Sequence, residues 1–292
     1  MKVLMAQNKI IFRRTNRYDP MKQLLRLALI LISLFFGSCS KDKKPDLEIP
    51  ENQYKLVWSD EFTSDGLPDK SKWSYDLGGG GWGNKEAQYY TGSRLNNSEV
   101  KDGYLFIHAI KEDFEGKKYT SARLVSRGKG DWLYGKFEVR AKLPQGRGMW
   151  PAIWMLPTDW FYGGWPDSGE IDIMENLGHI PYFIAGTVQT QSYNFRQNTQ
   201  KQEITAILDC YTEFHNYTLE WDPNEIRIYA DSILYNTFRN EGAGFQTWPF
   251  DQRFNLILNV AVGGTFGGVN GIDDSIFPRS MVIDYVRVYQ KK

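Results

Sequence analysis

From Tyr54 onward the chain is written in short apolar–polar alternations separated by Gly, Asn, Asp and Pro turns. Residues 104–110, 133–141, 217–221, 226–229, 254–262 and 281–289 each predict a strand. A strand sends successive side chains to opposite faces, so such alternation marks sheets with one face in a core. Long stretches of 3.6-residue apolar period are missing from this part of the sequence. Many short, evenly spaced strands predict an all-β sandwich. Neither an internal repeat nor a second module is visible.

The N-terminal segment follows a different pattern. Residues 24–36 form an apolar run broken by Arg26 and Ser33 and preceded by Lys22. A membrane-spanning helix needs about 20 apolar residues, so this run reads as the core of a secretion signal. It ends in Phe36-Gly37-Ser38-Cys39, which resembles a bacterial lipobox. That resemblance implies lipidation of Cys39, the new N-terminus after processing. Met21, followed by Lys22, reads as the translation start and residues 1–20 as a misassigned upstream extension; the alternative is a long basic leader. Residues 40–53 are polar and charged and predict a flexible tether. The catalytic or binding domain is then expected over 54–292. The expected location is the outer membrane, facing the surface of a Gram-negative cell.

Composition narrows the function. Lys+Arg and Asp+Glu both number 35, so the net charge is zero and no basic face for nucleic acid is expected. Aromatic residues make up 15% and glycines number 27, which fits strands, tight turns and stacking surfaces. The two cysteines are Cys39 and Cys210. With Cys39 assigned to lipidation, Cys210 reads as a small packed residue. The three histidines, His108, His179 and His215, show no zinc-binding spacing.

The candidate chemistry lies in Glu170-Ile171-Asp172-Ile173-Met174-Glu175. On a regular strand Glu170 and Asp172 share a face and Glu175 faces the other way. One extra residue, a β-bulge near Ile173-Met174, returns Glu175 to the acidic face. An acidic strand is ordinarily a solvated sheet face, yet three like charges in a row repel. Two carboxyl groups about 5–5.5 Å apart serve a retaining glycosidase as nucleophile and acid/base. Trp150 and Trp154, four residues apart, share a strand face, and Trp165 follows in Gly163-Gly164-Trp165-Pro166. Tryptophans beside carboxylates offer platforms for sugar rings, against an ordinary core role.

These acids, with Val57-Trp58-Ser59-Asp60-Glu61-Phe62, Gly81-Trp82-Gly83-Asn84, Gln88-Tyr89-Tyr90-Thr91, the 134–140 segment, Asn259-Val260-Ala261-Val262-Gly263-Gly264 and the closing 283–290 segment, resemble glycoside hydrolase family 16. Within it, the chain is similar to laminarinase-like bacterial β-1,3-glucanases. The resemblance implies a β-jelly roll of two curved antiparallel sheets with a concave substrate cleft. It implies Glu170 as nucleophile, Glu175 as acid/base and Asp172 between them. Trp150, Trp154, Trp165 and Asn84 would contact sugar. No catalytic cofactor is implied, but a structural calcium is, at Glu61, the Gly103 carbonyl and Asp284. A monomer is expected.

One departure stands out. Members of this group read close to Gly-Thr-Val-His after the acidic strand, with a second histidine after a Tyr-Asn pair. This chain has Gly186-Thr187-Val188-Gln189 and Tyr193-Asn194-Phe195. Gln189 exchanges hydrogen bonds but carries no charge. The leading expectation is a retaining endo-β-1,3-glucanase. The alternatives are the same chemistry on mixed-linkage glucan or an algal galactan, and a surface glycan-binding lipoprotein without turnover.

Overall fold

The computed structural model describes residues 53–292, which hold seventeen strands. The expected signal, the lipidation site Cys39 and tether residues 40–52 lie outside the described residues. The fold is the all-β jelly-roll sandwich that the strand pattern and the resemblance predicted.

The outer sheet is centred on β17 (Arg279–Lys291) and β8 (Gly135–Lys142). Beyond β8 follow β13 (His215–Trp221), β14 (Glu225–Ala230) and β15 (Ile233–Arg239). Beyond β17 lie β1 (Tyr54–Asp60) along one half, and β5 (Tyr104–Phe114) with β4 (Ser98–Lys101) along the other. In the inner sheet, β16 (Phe254–Val262) runs between β6 (Lys117–Val125) and β9 (Met149–Pro157). From β9 the sheet continues through β10 (Glu170–Asn176), β11 (Phe183–Gln189) and β12 (Lys201–Ala206). These pairings are antiparallel; β3 (Gln88–Thr91) adds to β6 in parallel. The far half of β5 pairs with β6 and joins the two sheets.

Alternation builds the core between them. On β8, Phe137, Val139 and Ala141 are fully buried, while Lys136, Glu138, Arg140 and Lys142 face outward. Tyr217, Leu219 and Trp221 of β13 pack beside them. They meet Ile153 and Met155 of β9, Ile171 and Ile173 of β10, and Leu256, Leu258 and Val260 of β16. Each Val, Ile, Leu, Phe or Met among them contributes about 1.5–3 kcal/mol on full burial. β16 is buried at every position. One of its faces belongs to the core, and the other carries Asn259 and Ala261 beneath the cleft.

Only the strand expected over 254–262 matches at both ends, and two of the differences have a clear cause. β5 runs on to Phe114 because its last residues pair with β6, a long-range gain that local pattern does not encode. The strand expected over 133–141 starts at Gly135. Gly135 has φ +140°, and a Cβ there would lie 2.6 Å from the Tyr289 carbonyl oxygen, so only glycine fits. Cys210 is buried, and burial pushes its thiol up to about 11, which suits packing and not nucleophilic chemistry.

Candidate active site

Strand β10 enters the sheet through Gly169, whose φ is +84°. A Cβ at this position would meet Pro249 at 2.8 Å and Phe250 at 2.9 Å. The close approach of the backbone to these rings sets where Glu170 begins. Just upstream, the Ser168 hydroxyl donates to the Gly163 carbonyl at 2.7 Å and accepts from the Tyr162 N–H at 3.1 Å. Those bonds close the loop that carries Trp165.

Along β10 the register with β11 runs Glu170 to Gln189, Ile171 to Val188 and Asp172 to Thr187, then slips, so that Glu175 faces Ala185. On the other edge the slip falls between Asp172 and Met174. A bulge at this place restores the parity of Glu175, as the spacing of the acids required. Ile171, Ile173 and Met174 are sealed in the core. Glu170, Asp172 and Glu175 line the cleft on the opposite face.

The three carboxyls have different partners. Glu170 accepts from Gln189 Nε2 at 2.6 Å, and the same amide lies 3.5 Å from Asp172. Glu175 accepts from the Trp150 indole N–H at 2.9 Å. Burial pushes the Glu170 carboxyl up to about 7, and the charge of Glu175 adds to this, while Arg123 and hydrogen bonding pull it back. Glu175 is also pushed up to about 7 by burial, with the Trp150 N–H opposing. Asp172, only 3% exposed, is driven well above the usual carboxylate range by burial and by both glutamates. Three acids this close do not all ionise at neutral pH. The two glutamates differ in what opposes burial: the Arg123 charge and hydrogen bonding favour the Glu170 carboxylate, whereas at Glu175 only the Trp150 N–H does, which leaves it the better proton carrier.

The cleft has two lobes that meet at Glu170 and Glu175. One, of about 280 Å³, reaches over β9, β16 and β6. The other, of about 480 Å³, reaches over β11 and β12. Trp150, Trp154, Trp165 and Asn84 line the first lobe, and Gln189 lines the second. The structure therefore brings together every sugar-contact residue that the sequence singled out. It adds Trp82, Glu86, Tyr90, Arg123, Trp160 and Asn259. A hydrogen-bonded chain fixes the first lobe. Tyr90 donates to Glu86 at 3.1 Å, Asn259 donates to Tyr90 at 2.9 Å, and the Trp154 indole donates to Asn259 at 2.7 Å. Arg123 lies over the Trp82 ring at 4.7 Å and over the Trp154 ring at 4.6 Å. Tyr90, Arg123, Trp154 and Asn259 come from strands far apart in sequence. Asn259, for example, stands in register with both Arg123 and Ala152. For Arg123 and Asn259 the one local signal is polarity at otherwise apolar strand positions.

The residues assigned to calcium behave differently. Both Glu61 oxygens accept from the Arg287 guanidinium, at 2.9 and 2.8 Å. Asp284 pairs with Arg140. Gly103 occupies the turn between β4 and β5 with φ +81°. Calcium takes six to eight oxygens, whereas here each carboxylate already faces a guanidinium. Among the described residues no group of three or more His, Cys, Asp or Glu side chains is arranged to hold a metal. A calcium held by Glu61, the Gly103 carbonyl and Asp284 would displace these arginine contacts.

The geometry has close counterparts among known proteins. A model described as glycosyl hydrolases family 16 matches residues 85–287. A β-glucanase of Rhodothermus marinus is 50% identical over 283 residues, covering 92% of this chain and 96% of its own. The X-ray structure of the laminarinase from Rhodothermus marinus matches with a TM-score of 0.81 at 53% identity, over 82% of this chain and 98% of that one. SCLam, a non-specific endo-β-1,3(4)-glucanase, matches with a TM-score of 0.79 at 46% identity, over 82% and 92% of the two chains. A bulged acidic strand set between two lobes of a cleft thus joins a family match over most of the chain: this protein is a glycoside hydrolase and belongs to family 16.

Proposed function

We propose that the chain is a retaining endo-β-1,3-glucanase acting on laminarin-type glucan. The observation that carries this reading is the placement of Glu170 and Glu175 on one face of bulged β10, at the junction of two cleft lobes. A polysaccharide crossing both lobes extends to either side of the pair, which suits internal cleavage. The laminarinase and β-glucanase relatives support the substrate class.

In the first step the Glu170 carboxylate attacks the anomeric carbon, and Glu175 gives its proton to the glycosidic oxygen as that bond breaks. A glycosyl ester on Glu170 results. In the second step the Glu175 carboxylate takes a proton from water, whose oxygen displaces Glu170 from the same carbon. Two inversions give net retention. Proton transfer of this kind is worth about 10²–10⁴-fold in rate. Burial and both glutamates drive Asp172 well above the usual carboxylate range, and its hydrogen bonding to Glu170 favours the ionised nucleophile.

Mixed-linkage glucan is a second reading, supported by the likeness to SCLam and by Gln189 beside the nucleophile. The intact acid triad speaks against a glycan-binding protein without turnover. The exported, lipid-anchored outer-membrane location belongs to this proposal too, on the strength of 24–39 in the sequence.

The experiment is reducing-sugar release from a panel of β-1,3-, mixed-linkage and galactan polysaccharides by the wild type and by Glu170→Ser. The wild type should cleave β-1,3-glucan, and the variant should fold and bind glucan without cleaving it. More than a few per cent residual activity in the variant would remove Glu170 from its assigned role.

A further inference from the structure

The two lobes differ in chemistry. The first is walled by indoles and by Arg123. The second contains Thr187, Gln189, Gln200 and Gln202, closed by Trp150 and Phe266, whose rings meet edge to face at 5.5 Å. Apart from the catalytic glutamates, no ionisable side chain lines this second lobe.

Strand register explains the pattern. Glu170 stands opposite Gln189, and Asp172 opposite Thr187. One strand further out, Thr187 stands opposite Gln202 and Val188 opposite Lys201, so the same register sets Gln200 beside Gln189. Because facing residues in a sheet share a face, two lateral rows leave the acids: Glu170–Gln189–Gln200 and Asp172–Thr187–Gln202. The amide of Gln202 donates to the Thr187 hydroxyl at 3.1 Å, which leaves its carbonyl oxygen uncommitted. Gln200 Oε1 is buried and has no hydrogen-bond partner within the protein. A buried acceptor left unpaired is costly, and a donor supplied by a ligand relieves that cost.

We propose that Gln200 and Gln202 form an uncharged, hydroxyl-reading subsite for the glucan units that extend from the scissile bond over β11 and β12, and that this subsite sets the cleavage position along the chain. The proposal rests on the glucanase reading above. Primary amides carry donor and acceptor at one site, matching hydroxyls that both give and take. Phe266 supplies an apolar wall for a ring face. The ligand class is a neutral polysaccharide with free secondary hydroxyls. Gln189 belongs to the same row but also touches Glu170, so it is not the residue on which to test this.

The test compares the wild type with Gln200→Leu/Gln202→Leu on β-1,3-linked gluco-oligosaccharides of three to six units. Leucine keeps the approximate bulk and removes the polar contacts. Loss of two neutral hydrogen bonds corresponds to about a tenfold rise in KM for the longest oligosaccharide. The product-length distribution should move with it, while the rate on the shortest cleaved oligosaccharide stays within about twofold. A melting curve checks folding, and Gln202→Ala alone serves if the double variant does not fold. Unchanged KM and unchanged products in a folded variant would overturn the proposal. So would an equal loss at every chain length, which would place the effect at the acids instead. Failure of the glucanase reading itself is seen separately, as a wild type inactive on all the β-1,3-glucosides.

Discussion

Replacing Glu175 by glutamine should make the protein more stable at pH 8 while abolishing turnover. Burial raises this carboxyl from 4.5 to about 7. A carboxyl held above its unfolded pKa binds its proton more tightly in the folded state. Its contribution to stability is fully present below about 4.5 and is lost as pH rises through about 7. Each pKa unit of displacement is worth about 1.4 kcal/mol, so the full effect is about 3 kcal/mol at most, and water in the cleft reduces it to roughly 1–3 kcal/mol. Glutamine has no proton to lose and retains a carbonyl oxygen for the Trp150 N–H. It also removes the charge that raises Glu170 and Asp172. The assay is urea unfolding of wild type and Glu175→Gln at intervals from pH 4.5 to 8. The stability difference should grow in favour of the variant across this range. A difference independent of pH, or a variant less stable than wild type at pH 8, would refute the reasoning. Acid catalysis here would then not rest on a carboxyl held protonated by burial.

Two further outcomes follow from particular residues. Gln189→His places an ionisable ring beside Glu170; a protonated imidazole favours the ionised nucleophile, so the acid limb of the pH–rate profile should move to lower pH with product stereochemistry unchanged, and overlapping profiles would show that residue 189 does not influence the ionising pair. Cys39→Ala should abolish incorporation of a fatty-acid analogue in a Gram-negative host, and equal labelling of both proteins would end the anchor proposal.

The fold was legible because its strands are amphipathic. On β8 and β13 every second residue is sealed in the core, so period alone located them. The bulge in β10 was legible for a related reason. Glu170 and Glu175 have opposite parity, and only an inserted residue puts both on a face that Asp172 also shares. What local pattern does not contain is register between distant strands. Arg123, Asn259 and Tyr90 look like isolated polar interruptions until β16 is laid against β6 and β9. The same limit applies to the partners of Glu61 and Asp284. Glu61 and Asp284 are acids in the places where the resemblance implies ligands, but Arg287 and Arg140 reach them through side-chain packing that spacing does not reveal. The second lobe was half visible. Gln189 drew notice as a departure, whereas Gln200 and Gln202 gained meaning only once β12 was paired with β11.

The central claim is that Glu170 and Glu175 act in sequence on one anomeric carbon. Its most direct test is the anomeric configuration of the first product, followed by NMR during early hydrolysis of a β-1,3-gluco-oligosaccharide, before mutarotation. Double displacement through a Glu170 ester predicts that β anomer appears first and α anomer accumulates only afterwards. Initial release of the α anomer would mean single displacement by water and would contradict the account.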